Sequence, residues 1–167
     1  MKLGTGVLFA TLLATLASTP IFAHGPEAHG SPAKKRTAPA EQKPFGIEGD
    51  PARVTRTIEI KMTDQMRFEP SVITVKAGET IRFVHKNIGK VMHEMVIGTR
   101  ADLEEHATLM RKFPNMEHDE PHMAHVAAGK RGAIVWQFNR AGDFEFACLI
   151  PGHFEAGMRG NIKVAAK

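Results

Sequence analysis

CLIPGHFEAGM, residues 148–158, contains the only cysteine of the chain, with His153 five positions later and Met158 five after that. The chain has nine histidines and nine methionines, yet sets one of each at even spacing behind its sole thiol. Upstream, Phe144, Phe146 and Cys148 alternate with Asp143, Glu145 and Ala147. That period of two describes a strand whose apolar face starts Cys148 from the core side. Pro151, Gly152 and Gly157 cannot continue a strand. The segment after Cys148 therefore reads as a loop that folds back, able to bring Cys148, His153 and Met158 around one point. Thiolate, imidazole and thioether are soft or borderline ligands that together favour copper over magnesium or calcium. Zinc accepts the first two, but a methionine is an unusual fourth ligand for it.

A second imidazole would complete a His₂Cys set with a weak axial methionine, the blue-copper arrangement. The candidate is His93 in KVMHEMVIG, at the start of an upstream apolar strand that can reach the same end of a sheet. The alternative is a buried cysteine that serves only as a small hydrophobe.

Period-two patterns recur along the chain. Val54, Ile58 and Ile60 alternate with polar residues, as do Ile134, Trp136 and Phe138. Residues 72–75 and 81–84 are β-branched runs joined by KAGE, a tight connection in which Gly78 is available for positive φ. Residues 91–97 and 161–164 add further strands. Short strands separated by turn signals describe an all-β, antiparallel Greek-key sandwich. One segment departs from it. TRADLEEHATLMRKF, residues 99–113, has Thr99 at the N-cap, Asp102 three residues on, and Leu103, Ala107 and Met110 on one face. It predicts a helix of about three turns. The loop NMEHDEPHMAH follows, so the insertion covers about 99–125.

The first 23 residues carry Lys2, an apolar run over 7–17 and the small residue Ala23. This is the pattern of a secretory signal peptide cleaved after Ala23, the alternative being an uncleaved anchor. Export implies a periplasmic protein with no stable membrane insertion after cleavage. Residues 24–51 are rich in Pro, Gly, Ala and charge, and are expected to form a flexible tail ahead of a single domain at 52–167. With 43% hydrophobic and 24% charged residues the composition is that of a soluble domain, and a formal net charge of +4 gives no argument for a nucleic-acid partner.

The pieces MRFEPSVITVKAGETIRFVHKN, HEMVIG and GDFEFACLIPGHFEAGMRGNIKV resemble the cupredoxins, the type 1 copper proteins that include plastocyanin, azurin, rusticyanin and auracyanin. The resemblance spans 66–98 and 142–164. It implies His93, Cys148 and His153 as equatorial copper ligands and Met158 as the axial one. The gaps on either side of His153 are similar to those of rusticyanin and auracyanin. The chain departs from the family where many members follow the first histidine with Asn or Ser, which braces the copper loop; here the residue is Glu94. With all four positions filled by protein, no open site remains for substrate chemistry, so a one-electron carrier or copper binder is expected rather than an enzyme. Oxidation of cuprous ion stays open. The resemblance also implies a loop histidine near the surface. Leu149, Ile150, Pro151, Phe154 and Ala156 around His153 are then expected to form an apolar patch where a redox partner docks, or to seal the copper from water.

Met116, His118, His122, Met123 and His125 fall within ten residues and have the donor types of a further copper site, or are a solvated polar loop. His24 and His29 in the tail add weak copper binding, while His85 and His106 fit ordinary strand and helix positions. A pure electron shuttle needs neither the His/Met loop nor the His-bearing tail. In that respect the chain resembles the CopI-type copper-tolerance cupredoxins of the bacterial periplasm. Copper handling is the first expectation and a soluble electron carrier the second.

Overall fold

The computed structural model describes residues 40–114, 116 and 118–167. Residues 1–23, expected as a signal peptide, and the tail histidines His24 and His29 lie outside them. In chain order the strands are β1 (Ile47–Glu48), β2 (Arg56–Thr63), β3 (Arg67–Glu69), β4 (Val72–Lys76), β5 (Thr80–Asn87), β6 (His93–Gly98), β7 (Met123–Val126), β8 (Arg131–Gln137), β9 (Gly142–Ala147) and β10 (Arg159–Ala165). Helix α1 (Arg100–Lys112) lies between β6 and β7. One sheet has the order β1-β8-β5-β2-β3 and the other β4-β10-β9-β6-β7. Their inner faces share one core, with Ile60, Phe83, Ile134 and Trp136 from the first sheet and Ile73, Met95, Phe146 and Ile162 from the second. This is the Greek-key sandwich with one helix that the alternation implies.

The sheets are mixed rather than purely antiparallel, because β2 pairs with β5 and β4 with β10 in parallel. KAGE is also not a hairpin. It carries the chain from β4 in the second sheet to β5 in the first. The Gly78 N–H donates to the carbonyl of Phe138 at 2.6 Å, tying the crossing to the end of β8.

The end of the segment 24–51, expected as a flexible tail, packs against the sandwich. Phe45 is 3% exposed and enters the core. Its ring stacks on Trp136 at 5.3 Å between centroids, and its carbonyl accepts the indole N–H at 2.9 Å. Gly46 has φ +129°, and a Cβ there would lie 2.2 Å from the Gln137 carbonyl oxygen. Only glycine admits this close approach. One aromatic anchor and the two-residue β1 thus hold a segment whose composition is otherwise that of a linker.

The second sheet is covered on its outer side. Thr99 and Asp102 form a reciprocal capping box at the start of α1. Leu103, Ala107 and Met110 pack with Val96, Met123, Ala147, Leu149 and Phe154 in a second apolar cluster. Leu109 and Phe113, which border the apolar stripe, are exposed. Because α1 covers this face, every residue of β6 is buried and its alternation sorts side chains between two interiors. Met95 and Ile97 point into the sandwich, while Val96 points under the helix.

Candidate metal centre

β6 and β9 are antiparallel neighbours, so the start of β6 and the residue just past β9 meet at one end of the sandwich. His93 opens β6 and Cys148 follows β9. The loop between β9 and β10 is closed by its own backbone. Cys148 N–H donates to the Met158 carbonyl and Met158 N–H to the His153 carbonyl, each at 3.0 Å. Gly157 turns the chain at φ +87°, which leaves Met158 fully buried next to the start of β10.

One ligand atom each from His93, Cys148 and His153 all lie within 4.8 Å of one another. Cys148 Sγ is 3.3 Å from His153 Nδ1, and the His93 and His153 rings are 5.1 Å apart. His93 Nε2 is 3.2 Å from Asp64 Oδ1. Its Nδ1 is buried with no protein partner. Asp64 is itself anchored by the Lys90 N–H at 2.7 Å, which holds its carboxyl below the usual range. A buried, unpartnered imidazole nitrogen beside a thiol and a second imidazole is a set of donors lacking an acceptor, and it fits copper. Burial pushes the Cys148 thiol up to about 12, against a weak opposing contact from the Glu94 N–H at 3.5 Å. His153 is held below its ordinary value, by burial first and then by His93.

Glu94 takes the place of the bracing Asn or Ser, and does so with a carboxylate. It is fully buried, and its Oε1 accepts the backbone N–H of Leu149 at 2.7 Å, tying β6 to the copper loop. Its Oε2 faces His125, directly opposite in the β6–β7 ladder, with His125 Nε2 2.8 Å away. The contact is not a hydrogen bond, and Oε2 is buried without one.

The apolar surroundings of His153 divide. Leu149 and Phe154 are buried beneath α1 and belong to no surface patch, because the loop turns them toward the helix. Pro151 and Ala156 are exposed, and Ile150 and His153 are half-buried. Exposed Met92, ahead of β6, lines a cleft with Ile150 and Pro151.

The five residues of the His/Met loop also separate. Met116, His118 and His125 line that cleft, which has a volume of about 410 Å³. His122 instead sits against Phe45 and Trp136, with ring centroids at 5.3 and 5.8 Å. Met123 is buried in the cluster under α1. Met123 and His125 belong to strand β7 and not to a loop, as pairing with β6 dictates. His106, read from the sequence as an ordinary helix residue, brings its Nε2 to 2.8 Å from His118 Nε2. His85 is an ordinary strand residue, buried with Nε2 3.0 Å from Met95 Sδ.

Comparison with known proteins identifies the family. Residues 54–165 match the model of copper binding proteins of the plastocyanin/azurin family. The chain is 50% identical over 152 residues to the copper-resistant cuproprotein CopI of Rubrivivax gelatinosus, covering 91% of this chain and 92% of that one. It is 35% identical to the protein of the same description from Pseudomonas aeruginosa, covering 79% and 88%. Among solved structures, auracyanin B superposes with a TM-score of 0.61 at 21% identity, covering 75% of this chain and 99% of that one. The dithionite-reduced auracyanin of Roseiflexus castenholzii gives 0.55 at 25% identity, covering 67% and 98%. The chain belongs to the plastocyanin/azurin family of copper-binding proteins, and copper is its cofactor.

Proposed function

We propose that this is a periplasmic type 1 copper protein used in copper tolerance, with His93, Cys148 and His153 as equatorial ligands and Met158 as the axial one. The buried, unpartnered His93 Nδ1 beside the Cys148–His153 pair is the observation that carries this reading. Bound copper supplies a one-electron Cu(I)/Cu(II) couple. The residues supply the rest. Asp64 fixes the His93 ring through Nε2, and the Glu94 carboxylate and N–H hold the Cys148 end of the loop. The core around Cys148 and Met158 excludes water. Four protein ligands leave no position for a substrate, so the protein acts as a binder and one-electron agent. Relatives described as copper-resistant cuproproteins support the tolerance role. Residues 1–23 act as a cleaved export signal in this reading, and 24–39 as a tail.

The second reading is a soluble electron carrier. Half-buried His153, flanked by exposed Pro151 and Ala156, favours it, because a redox partner docking there would come within one ring of the copper. Visible absorption during Cu(II) titration tests the centre. An intense thiolate-to-copper band is expected, saturating at one copper and absent in Cys148→Ser. A wild-type protein with no such band would overturn the type 1 assignment. Copper survival of a deletion strain complemented by wild type but not by Cys148→Ser would favour tolerance over simple electron transport.

A further inference from the structure

Outside the type 1 centre, the described residues hold a second gathering of ligand side chains, on the outer face of the second sheet. His106 comes from α1, His118 from the segment after it, and His125 and Glu94 from facing positions of β7 and β6. The His118 ring stands between the other two, with centroids 4.6 Å from His106 and 5.8 Å from His125.

The contacts have the spacing of metal-ligand edges. Two nitrogens each about 2.0 Å from one ion and at right angles to each other are about 2.8 Å apart. His106 Nε2 and His118 Nε2 are 2.8 Å apart, as are His125 Nε2 and Glu94 Oε2. His118 Nδ1 is 3.0 Å from the Met116 carbonyl oxygen, which can only accept, so Nδ1 carries the proton and the Nε2 lone pair faces His106. Donation of the remote ring N–H to a carbonyl is the usual support of a ligating imidazole. Glu94 supplies an independent pointer: it is fully buried, lines the cleft, and its Oε2 has no hydrogen bond. The cleft walls add the thioethers of Met92, Met110 and Met116. Imidazole, carboxylate and thioether around one opening suit both oxidation states of copper.

We propose that His106, His118 and His125, with Glu94 Oε2, form a second copper site that takes copper as cargo from solvent and reports its occupancy to the type 1 centre through Glu94. The four donors stand as two pairs, since among the described residues only His93, Cys148 and His153 group within 4.8 Å. In this proposal one copper ion draws the two pairs together around His118, whose ring centroid is 4.6 Å from that of His106 and 5.8 Å from that of His125. His122 and Met123 take no part, because they pack elsewhere. Glu94 is shared: one oxygen faces the cleft, the other holds Leu149 N–H, and its own N–H lies on Cys148 Sγ. A cation at Oε2 draws charge from the carboxylate that fixes the copper loop. This site goes beyond the tolerance reading and does not require the type 1 assignment.

The test is Cu(II) titration of the full mature chain, followed by bound copper per chain, electron paramagnetic resonance and the visible band. The variants are Cys148→Ser, His106→Gln/His118→Gln and Glu94→Gln. The double variant is expected to bind one copper fewer than its parent in both the wild-type and the Cys148→Ser backgrounds, with loss of an imidazole-ligated signal. Its type 1 band should persist. In the wild type, filling the second site should shift the visible band, and in Glu94→Gln that shift should disappear. Equal copper counts in parent and double variant would overturn the site, and an unshifted wild-type band would overturn the link. Should the double variant not fold, His118→Ala alone gives the same readout. Tail copper is common to parent and variant and cancels in the difference. A missing type 1 band in the wild type would count against the proposed function, while the count in Cys148→Ser still decides this site.

Discussion

The Glu94 carboxylate accepts the backbone N–H of Leu149 at 2.7 Å, one residue past Cys148 and 55 positions along the chain. It is a buried hydrogen bond between a strand and the loop that carries the thiol. Replacing Glu94 by Ala leaves that N–H buried and unsatisfied, at a cost of about 1–3 kcal/mol. Glu94→Gln keeps an acceptor and should cost less than half as much. Urea unfolding of the copper-free variants checks the order. An Ala variant as stable as the Gln variant would show that the bond does not brace the loop.

Copper uptake should release a proton. Burial pushes the Cys148 thiol up to about 12, so without metal it is protonated throughout the neutral range. The ligand is the thiolate. Above the histidine titrations, type 1 affinity should therefore rise about tenfold per pH unit toward 12. Calorimetric titration in buffers of different ionisation enthalpy measures the release directly. Cys148→Ser should lose about one proton of it, and an unchanged count would contradict the buried thiol as ligand.

Asp64 orients His93 and is itself set by the Lys90 N–H. Partners of this kind are worth about 10–100-fold in metal affinity. Asp64→Ala should weaken copper at the lower end of that range, because Asp64 is partly exposed. Competition with a chelator at fixed pH is the measurement. Unaltered affinity would mean that packing alone orients the ring.

His85 should make the copper-free protein acid-sensitive. Burial lowers it from 6.5 to about 4, with Nε2 against Met95 Sδ. The unfolded chain binds this proton more readily between those values. Its contribution is therefore complete above pH 6.5 and is lost as pH falls toward 4, to a total of about 3 kcal/mol. Measured from urea midpoints, the stability of wild type relative to His85→Leu should fall between pH 7 and pH 4. Parallel curves would exclude His85 as the source.

The grouping of His93, Cys148 and His153 was legible because the thiol and one imidazole lie in one loop with distinctive chemistry, and because His93 opens an apolar strand. What escaped detection depends on contacts distant in sequence. The β-branched runs 72–75 and 81–84 mark strands, but do not show that these lie in different sheets. Phe45 is one aromatic in a polar stretch, with no repeat to mark it, and its partner Trp136 is 91 positions away. Glu94 looked like a missing brace because a single sequence does not show the Leu149 N–H it reaches. His106 looked like a helix residue because only the return of the chain after α1 brings His118 to it. Leu149 and Phe154, expected to form an apolar patch or to seal the copper, are buried under α1, a contact that a single sequence does not show.

β6 is six residues long and buried on both sides. His93 and Glu94 are consecutive in it, so one peptide unit separates a side chain of the inner chamber from one of the outer cleft. The strand acts as a partition whose two faces cannot be altered independently. A one-residue insertion or deletion near its start would exchange them, sending the imidazole outward and the carboxylate into the core. Length changes should therefore be tolerated in the segment after α1 and at the 127–130 turn but not between residues 91 and 98.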